Sequence, residues 1–188
     1  MRKRSLGARA LLFPTPILVV GTYDAKGQPN AMTAAWGGVC SSDPPCIAVS
    51  LKTTTHSYHS IKRLACFTVS IPSEQYLVET HYVGLTSGRD GDKFASLGLT
   101  PLRASHVNAP YVDEFPIVFE CKLVHTLDLG SHTQFIGKVL DVKANDEVVS
   151  CHGPDMARIR PLVFDPGLRR YFSIGNPLGD ADVLRSTS

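Results

Sequence analysis

The sequence predicts a mainly β protein folded as a closed or nearly closed barrel, and three observations carry that expectation. Ile117, Phe119, Cys121 and Leu123 fall on one face of an extended segment and Glu120 and Lys122 on the other, the period-two pattern of an antiparallel strand. Several further short runs are β-branched or apolar, whereas the helical stretches are few and brief. There is no GxGxxG after a strand and no GxxxxGK[ST] loop, which argues against a doubly wound parallel sheet binding a dinucleotide or a nucleoside triphosphate.

In chain order, Ile17 to Tyr23 reads as a strand, Asp24 to Gln28 as a turn around Gly27, and Asn30 to Trp36 as the returning strand of a hairpin. Cys46 to Lys52 and Cys66 to Ile71 are two more strands. Between them Tyr58, Ile61 and Ala65 recur at helical spacing within Ser57 to Ala65. Val78 to Leu85 and Asp92 to Leu97 are short helices, the second stopped by Gly98. Gly130 and Ser131 turn the long strand into a second one, Gln134 to Val142, and Leu162 to Phe164 with Tyr171 to Ile174 add short strands. The expected organisation is one domain over residues 1–175 and a loose tail from Asn176 to Ser188.

The chain has 188 residues, of which 43% are hydrophobic and 19% charged, a globular composition with less charge than usual. The low charge leaves room for a buried subunit interface and favours a homo-oligomer. A net charge of +2 argues against a nucleic-acid partner. Five cysteines with no CxxC and no Cys/His ligand spacing suggest free thiols in a reducing cytoplasm and no metal. Arg2, Lys3 and Arg4 precede an apolar run from Leu11 to Val20, but Pro14 and Pro16 interrupt it, and no other stretch approaches the ~20 apolar residues of a membrane span. A soluble cytoplasmic protein is expected.

Two polar clusters stand out. Lys52, Thr53, Thr54, Thr55 and Ser57 lie between a predicted strand and a predicted helix, where free N–H groups, hydroxyls and a cation suit a phosphate, or where a hydroxyl simply caps the helix beside a solvated lysine. Ser87, Gly88, Arg89, Asp90 and Lys93 form a second such turn, equally readable as a solvated loop. Trp36, the only tryptophan, stands beside Gly37 and Gly38, which permit close approach of a backbone or a ligand. His132 opens the last long strand, where it would meet a ligand or simply bond the local backbone. Ser87 is one position away from a GxSxG elbow, which disfavours a serine hydrolase.

Taken in order along the chain, these strings resemble the flavin reductase-like family of FMN-binding split barrels. The resemblance runs from Ser5 to Ile174 through Phe-Pro-Thr-Pro (13–16), Asn-Ala-Met-Thr-Ala-Ala-Trp-Gly-Gly (30–38), Ser-Leu-Lys (50–52), Phe-Thr-Val-Ser-Ile-Pro-Ser (67–73), Ser-Gly-Arg-Asp-Gly-Asp-Lys-Phe (87–94) and His-Thr-Gln-Phe-Ile-Gly (132–137). It implies a split β-barrel of Greek-key type with a few short helices, homodimeric, holding one FMN per subunit at or near the interface. By the same resemblance Thr33, Ala34, Ala35 and Trp36 lie along the isoalloxazine ring, and Ser50, Leu51 and Lys52 form the next ring and phosphate segment. Thr55 and Ser57 supply phosphate hydroxyls, Ser87, Gly88, Lys93 and Phe94 match two further elements with Lys93 neutralising phosphate, and His132 belongs on the nicotinamide side. The chain departs from the family at Ser70, where Asn is common, and at Ser131, where an acidic residue often precedes the histidine.

The implied activity is an FMN-dependent oxidoreductase that passes electrons through its flavin, with NAD(P)H as donor. The alternatives are an electron carrier that exchanges electrons with a redox partner protein or small-molecule acceptor and barely uses nicotinamide, and a flavin-binding protein without turnover.

Overall fold

The computed structural model describes residues 1–179. Asp24 accepts two turn N–H groups, from Lys26 and Gln28, each at 2.8 Å, and Gly27 takes the positive φ of +79° that closes the turn. That turn fixes the register of β1 (Leu18–Tyr23) on β2 (Pro29–Ala34), with Leu18 opposite Ala34. Four of the following strands, β3 (Gly37–Ser42), β4 (Pro45–Leu51), β5 (Cys66–Ile71) and β6 (Ile117–Asp128), together with β7 (Thr133–Ala144), complete a seven-stranded antiparallel sheet. Its order is β2-β1-β5-β6-β7-β4-β3. The two edges of this sheet, β2 and β3, are consecutive in the chain and joined only through Ala35 and Trp36. The sheet therefore curls about the Ala35–Trp36 link, and the Ser50 N–H donating to the Trp36 carbonyl at 2.8 Å carries the β3–β4 pairing up to that link. Among the described residues β2 and β3 do not pair with each other, which splits the barrel.

Both faces of β1 are covered, which is why it reads as a continuous apolar run. Leu18 and Val20 enter the barrel interior with Val49, Leu51, Phe67, Val69 and Phe135. Val19 faces outward into a second core with Ala31, Val83, Phe94 and Phe115. That second core seats α2 (Leu77–Leu85) and α3 (Lys93–Leu97) against the outer face of β2. The helix α1 (His56–Leu64) links β4 to β5 and sends Ile61 into the barrel.

The strand predicted to run to Trp36 ends at Ala34, because the edge must bend at Ala35 and Trp36 for the chain to reach the opposite side of the split. Of the predicted helix ends, Gly98 does stop α3 in the left-handed conformation, with Asp92 capping its start through the Phe94 and Ala95 N–H groups. The short strands Val163–Asp165 and Arg170–Phe172 pair with each other and with Thr15–Pro16 in a separate three-stranded sheet. Of the expected tail, residues 176–179 are exposed and irregular, and the remainder lies outside the described residues.

One buried charge belongs to the framework. Glu120 on β6 is fully buried and accepts from the Ser105 N–H at 3.1 Å, the His106 N–H at 2.6 Å and the Lys143 ammonium. Burial alone would raise its pKa, but these hydrogen bonds outweigh burial and hold the carboxyl below its ordinary value.

Candidate functional site

The loop after β4 folds back on itself. Both the N–H and the hydroxyl of Thr55 donate to the Lys52 carbonyl, at 3.0 and 2.8 Å. Thr55 is the N-cap of α1 by conformation, yet with its hydroxyl so directed no side chain caps the helix, and the first turn contains no acidic residue. The N-terminus of a nine-residue helix is thus left with free N–H groups and an uncompensated positive dipole end.

These groups open into a cavity of about 200 Å³ lined from three directions. Asn30 and Met32 contribute from β2, Thr54 to Ser57 from the start of α1, and Gly84 to Gly88 with Lys93 from the end of α2, the loop after it and the start of α3. Ser57 is fully buried and its hydroxyl accepts from the Asn30 amide at 3.0 Å. Gly88 must be glycine, since a Cβ there would overlap the Asn30 carbonyl oxygen and stand 3.0 Å from His56 Cδ2. Arg89, next to Gly88, is exposed and donates to the carbonyl of Thr54, a lining residue, at 3.4 Å.

Lys93 is present as expected, but it is buried. Its side chain is 4% exposed, and its ammonium donates to the backbone carbonyls of Ala31 at 2.8 Å and Val83 at 3.0 Å. An ammonium has three N–H groups, so one remains for the cavity that Lys93 lines. Desolvation lowers its pKa to about 8, against the opposing pull of Asp90. The His56 imidazole is likewise held low, chiefly by burial; Asp24 opposes the shift, while Arg89, Lys93 and His59 add to it. The positive character of the cavity comes from the Lys93 ammonium and the free N–H groups of α1, while burial works against the charged forms of Lys93 and His56. The cavity also contains two buried polar atoms without a partner among the described residues, Asn30 Oδ1 and His56 Nε2, which a polar ligand would satisfy.

The structure thus brings together five of the residues expected from sequence, Thr55, Ser57, Ser87, Gly88 and Lys93, and adds Asn30 and His56, while Arg89 of the second polar cluster is bonded to Thr54 without lining the cavity. Asn30 was legible in principle, because it shares the inward face of β2 with Met32 and Ala34, where a polar amide is out of place without a partner from another element. Ala35, Trp36 and Ser50 line a second, larger hollow of about 390 Å³ at the closed end of the split. Thr33, whose hydroxyl donates to the Thr80 carbonyl, lines a third with Ala35. Ala34, Leu51 and Phe94 bury their side chains in the two cores, which leaves backbone as what they offer a ligand. Lys52 is exposed just past the end of β4. His132 sits apart in the β6–β7 turn with Nδ1 2.9 Å from the Ser131 hydroxyl, next to the Thr133–Leu51 pair.

A split barrel with an anion-ready pocket beside its open edge defines a class, and residues 9–174 match the flavin reductase like domain: the chain belongs to that family. Among solved structures it is similar to flavoredoxin of Desulfovibrio vulgaris (Miyazaki F), at 49% identity and a TM-score of 0.91 over 96% of this chain and 97% of the other. Flavoredoxin from Methanosarcina acetivorans shares the fold at 24% identity, with a TM-score of 0.89 over 96% of each chain. The reductase component of the flavin-dependent trigonelline monooxygenase of Acinetobacter baylyi is 28% identical over 127 residues, 68% of this chain and 39% of that protein. Among the described residues no helix is long and apolar enough to cross a membrane.

Proposed function

We propose that the protein is an FMN-dependent oxidoreductase whose flavin phosphate lies at the N-terminus of α1. The observation that carries this reading is the uncapped first turn of α1, facing a cavity that also holds buried Ser57, the Gly88 turn and the Lys93 ammonium. Free helix N–H groups, a hydroxyl and two cations, Lys93 and Arg89, match a phosphate dianion in charge and in hydrogen-bonding capacity. Thr55, Ser57, Ser87 and Gly88 hold the phosphate; Asn30 Oδ1 and His56 Nε2 take polar atoms next to it. Thr33 to Trp36 and Ser50 to Lys52, on the two sides of the split, flank the ring largely through backbone, and His132 stands on the nicotinamide side.

When bound, FMN supplies the redox chemistry. The chain's task is to orient it and keep water from its inner face, for which Met32 and the apolar barrel wall suffice. NAD(P)H is the proposed donor, and a partner protein or small molecule the acceptor. Mixing the yellow protein with NADH, NADPH and a reduced electron carrier in a stopped-flow spectrophotometer tests this. Flavin bleaching by a nicotinamide supports the reductase, bleaching by the carrier alone supports the electron carrier, and no bleaching by either leaves only a binding protein. We also propose a homodimer closing the split, supported by the exposure of Val39 (76%) and Leu85 (69%) at its mouth.

Lys93 makes the phosphate reading pH-dependent. A neighbouring phosphate favours the charged lysine and so raises its pKa above the free value of about 8. Binding is then strongest while the free protein's Lys93 is protonated and weakens as pH rises past that value. Between pH 7 and 9.5 FMN affinity is expected to fall about tenfold, one pKa unit being worth 1.36 kcal/mol, while riboflavin affinity stays level. In Lys93→Met the difference disappears, and the stranded Ala31 and Val83 carbonyls cost about 1 to 3 kcal/mol of stability. Fluorescence titrations at the two pH values and urea unfolding check both halves.

A further inference from the structure

The small sheet formed by Thr15–Pro16, Val163–Asp165 and Arg170–Phe172 adds nothing to the barrel interior, but it brings Tyr171 against α2. Tyr171 Oη is 3.1 Å from His81 Nδ1, with the two rings edge-on and 5.7 Å between centroids, and the Tyr171 ring also packs on Phe164 at 5.1 Å. Between this aromatic group and the strand end Thr33–Ala35 lies a cavity of about 180 Å³. Its walls include Ile17, Leu85 and Phe164, and its polar residues are the His81–Tyr171 pair, Arg169 and Thr33, whose hydroxyl is given to the Thr80 carbonyl. Asp165 directs its carboxylate to the N–H groups of Gly167 and Leu168, at 2.7 and 3.1 Å, and so fixes the turn that carries Arg169. Among the described residues the Arg169 guanidinium has no hydrogen-bond or ion-pair partner.

An apolar slot with flat walls, one unneutralised guanidinium and a hydrogen-bonding pair is the arrangement that holds a flat ring carrying a negative charge. We propose that this cavity binds a small aromatic carboxylate, its carboxylate on Arg169, its ring between Leu85 and Phe164, and a ring hydroxyl or carbonyl on the Tyr171–His81 pair. The cavity shares Gly84 and Leu85 with the phosphate pocket and Ala35 with the hollow at Trp36. The ligand therefore lies beside the strand end assigned to the flavin ring, and this last step rests on the FMN reading. Burial raises the pKa of Tyr171, which keeps its phenol a neutral donor.

The test uses 4-hydroxybenzoate, with the neutral isostere 4-hydroxybenzamide as control, first on the apoprotein by calorimetry and then on the FMN-loaded protein by visible absorption. Saturable one-to-one binding to the apoprotein is expected, weakened about tenfold or more in Arg169→Gln and for the amide, and several-fold in Tyr171→Phe. In the loaded protein the same acid should perturb the flavin bands without displacing the flavin. No saturable binding to the apoprotein, or binding unchanged by Arg169→Gln, overturns the site. Binding that displaces FMN or leaves its spectrum untouched overturns its placement beside the ring. If the protein takes no FMN, the apoprotein arm still decides the pocket, so the two readings fail separately.

Discussion

Replacing Gly88 by Val is expected to weaken FMN binding roughly five- to a hundredfold, while riboflavin loses much less. A Cβ at this position overlaps Asn30 Oδ1 and presses on His56 Cδ2, and neither neighbour is free to yield. Asn30 is tied to buried Ser57 through its amide, and His56 is the first residue of α1. The turn at Ser87 and Gly88 must therefore shift, at about 1 to 3 kcal/mol for an overpacked site, and it shifts away from the phosphate cradle. Gly175→Ala is the control: its Cβ meets nothing, and its effect should stay within about 0.5 kcal/mol. Parallel fluorescence titrations with FMN and riboflavin give the comparison. Equal losses for the two flavins would mean that the turn supports the fold and does not contact phosphate.

Lys143→Met should destabilise the protein by about 3 kcal/mol near neutral pH, the scale for stranding a buried charge. Glu120 is fully enclosed and would keep only the Ser105 and His106 N–H groups as partners, with the His106 imidazole 3.4 Å away. The pH dependence follows from the lowered pKa of Glu120. Its stabilising contribution is present above the unfolded carboxylate value and is lost as pH falls through the folded value. In Lys143→Met the carboxyl protonates more readily, so the stability gap between wild type and variant should narrow on acidification. Urea unfolding across the acidic range measures the gap; one that stays constant with pH would separate Lys143 from Glu120.

Much of the fold was legible because local chemistry and tertiary need agree. Asp24 and Gly27 make the first hairpin turn, Gly98 ends α3, and the alternation from Ile117 to Leu123 marks β6. Strand β3 was missed because Gly37, Gly38, Ser41 and Ser42 have little strand propensity. Its place is set by β4, against which Gly37 packs so closely that its missing Cβ would stand 2.7 Å from the Ala48 carbonyl oxygen. The strand pairing of Thr15–Pro16 with Val163–Phe164 joins the two ends of the chain and has no local signal at all.

The site divides along the same line. Hydroxyls between a strand and a helix suit an anion, and Thr55 and Ser57 do line a cavity there. The polar loop around Lys93 gives no hint that its lysine is buried, because the carbonyls that hold it belong to Ala31 and Val83 on other elements. Asn30 joins the pocket for the same reason: the curl of the sheet, not sequence proximity, brings β2 to the start of α1, whereas His56 comes with its chain neighbours Thr55 and Ser57.

The central claim, that a flavin phosphate is held at the start of α1 with its ring running toward Trp36, is tested most directly by titrating apoprotein with FMN and with riboflavin while following the fluorescence of Trp36, the only tryptophan. Both flavins should quench it, since both place a ring beside the strand end. FMN should bind at least about tenfold more tightly, the least that one charge-assisted hydrogen bond contributes. Equal affinities would contradict the phosphate cradle, and binding without quenching would contradict the placement of the ring.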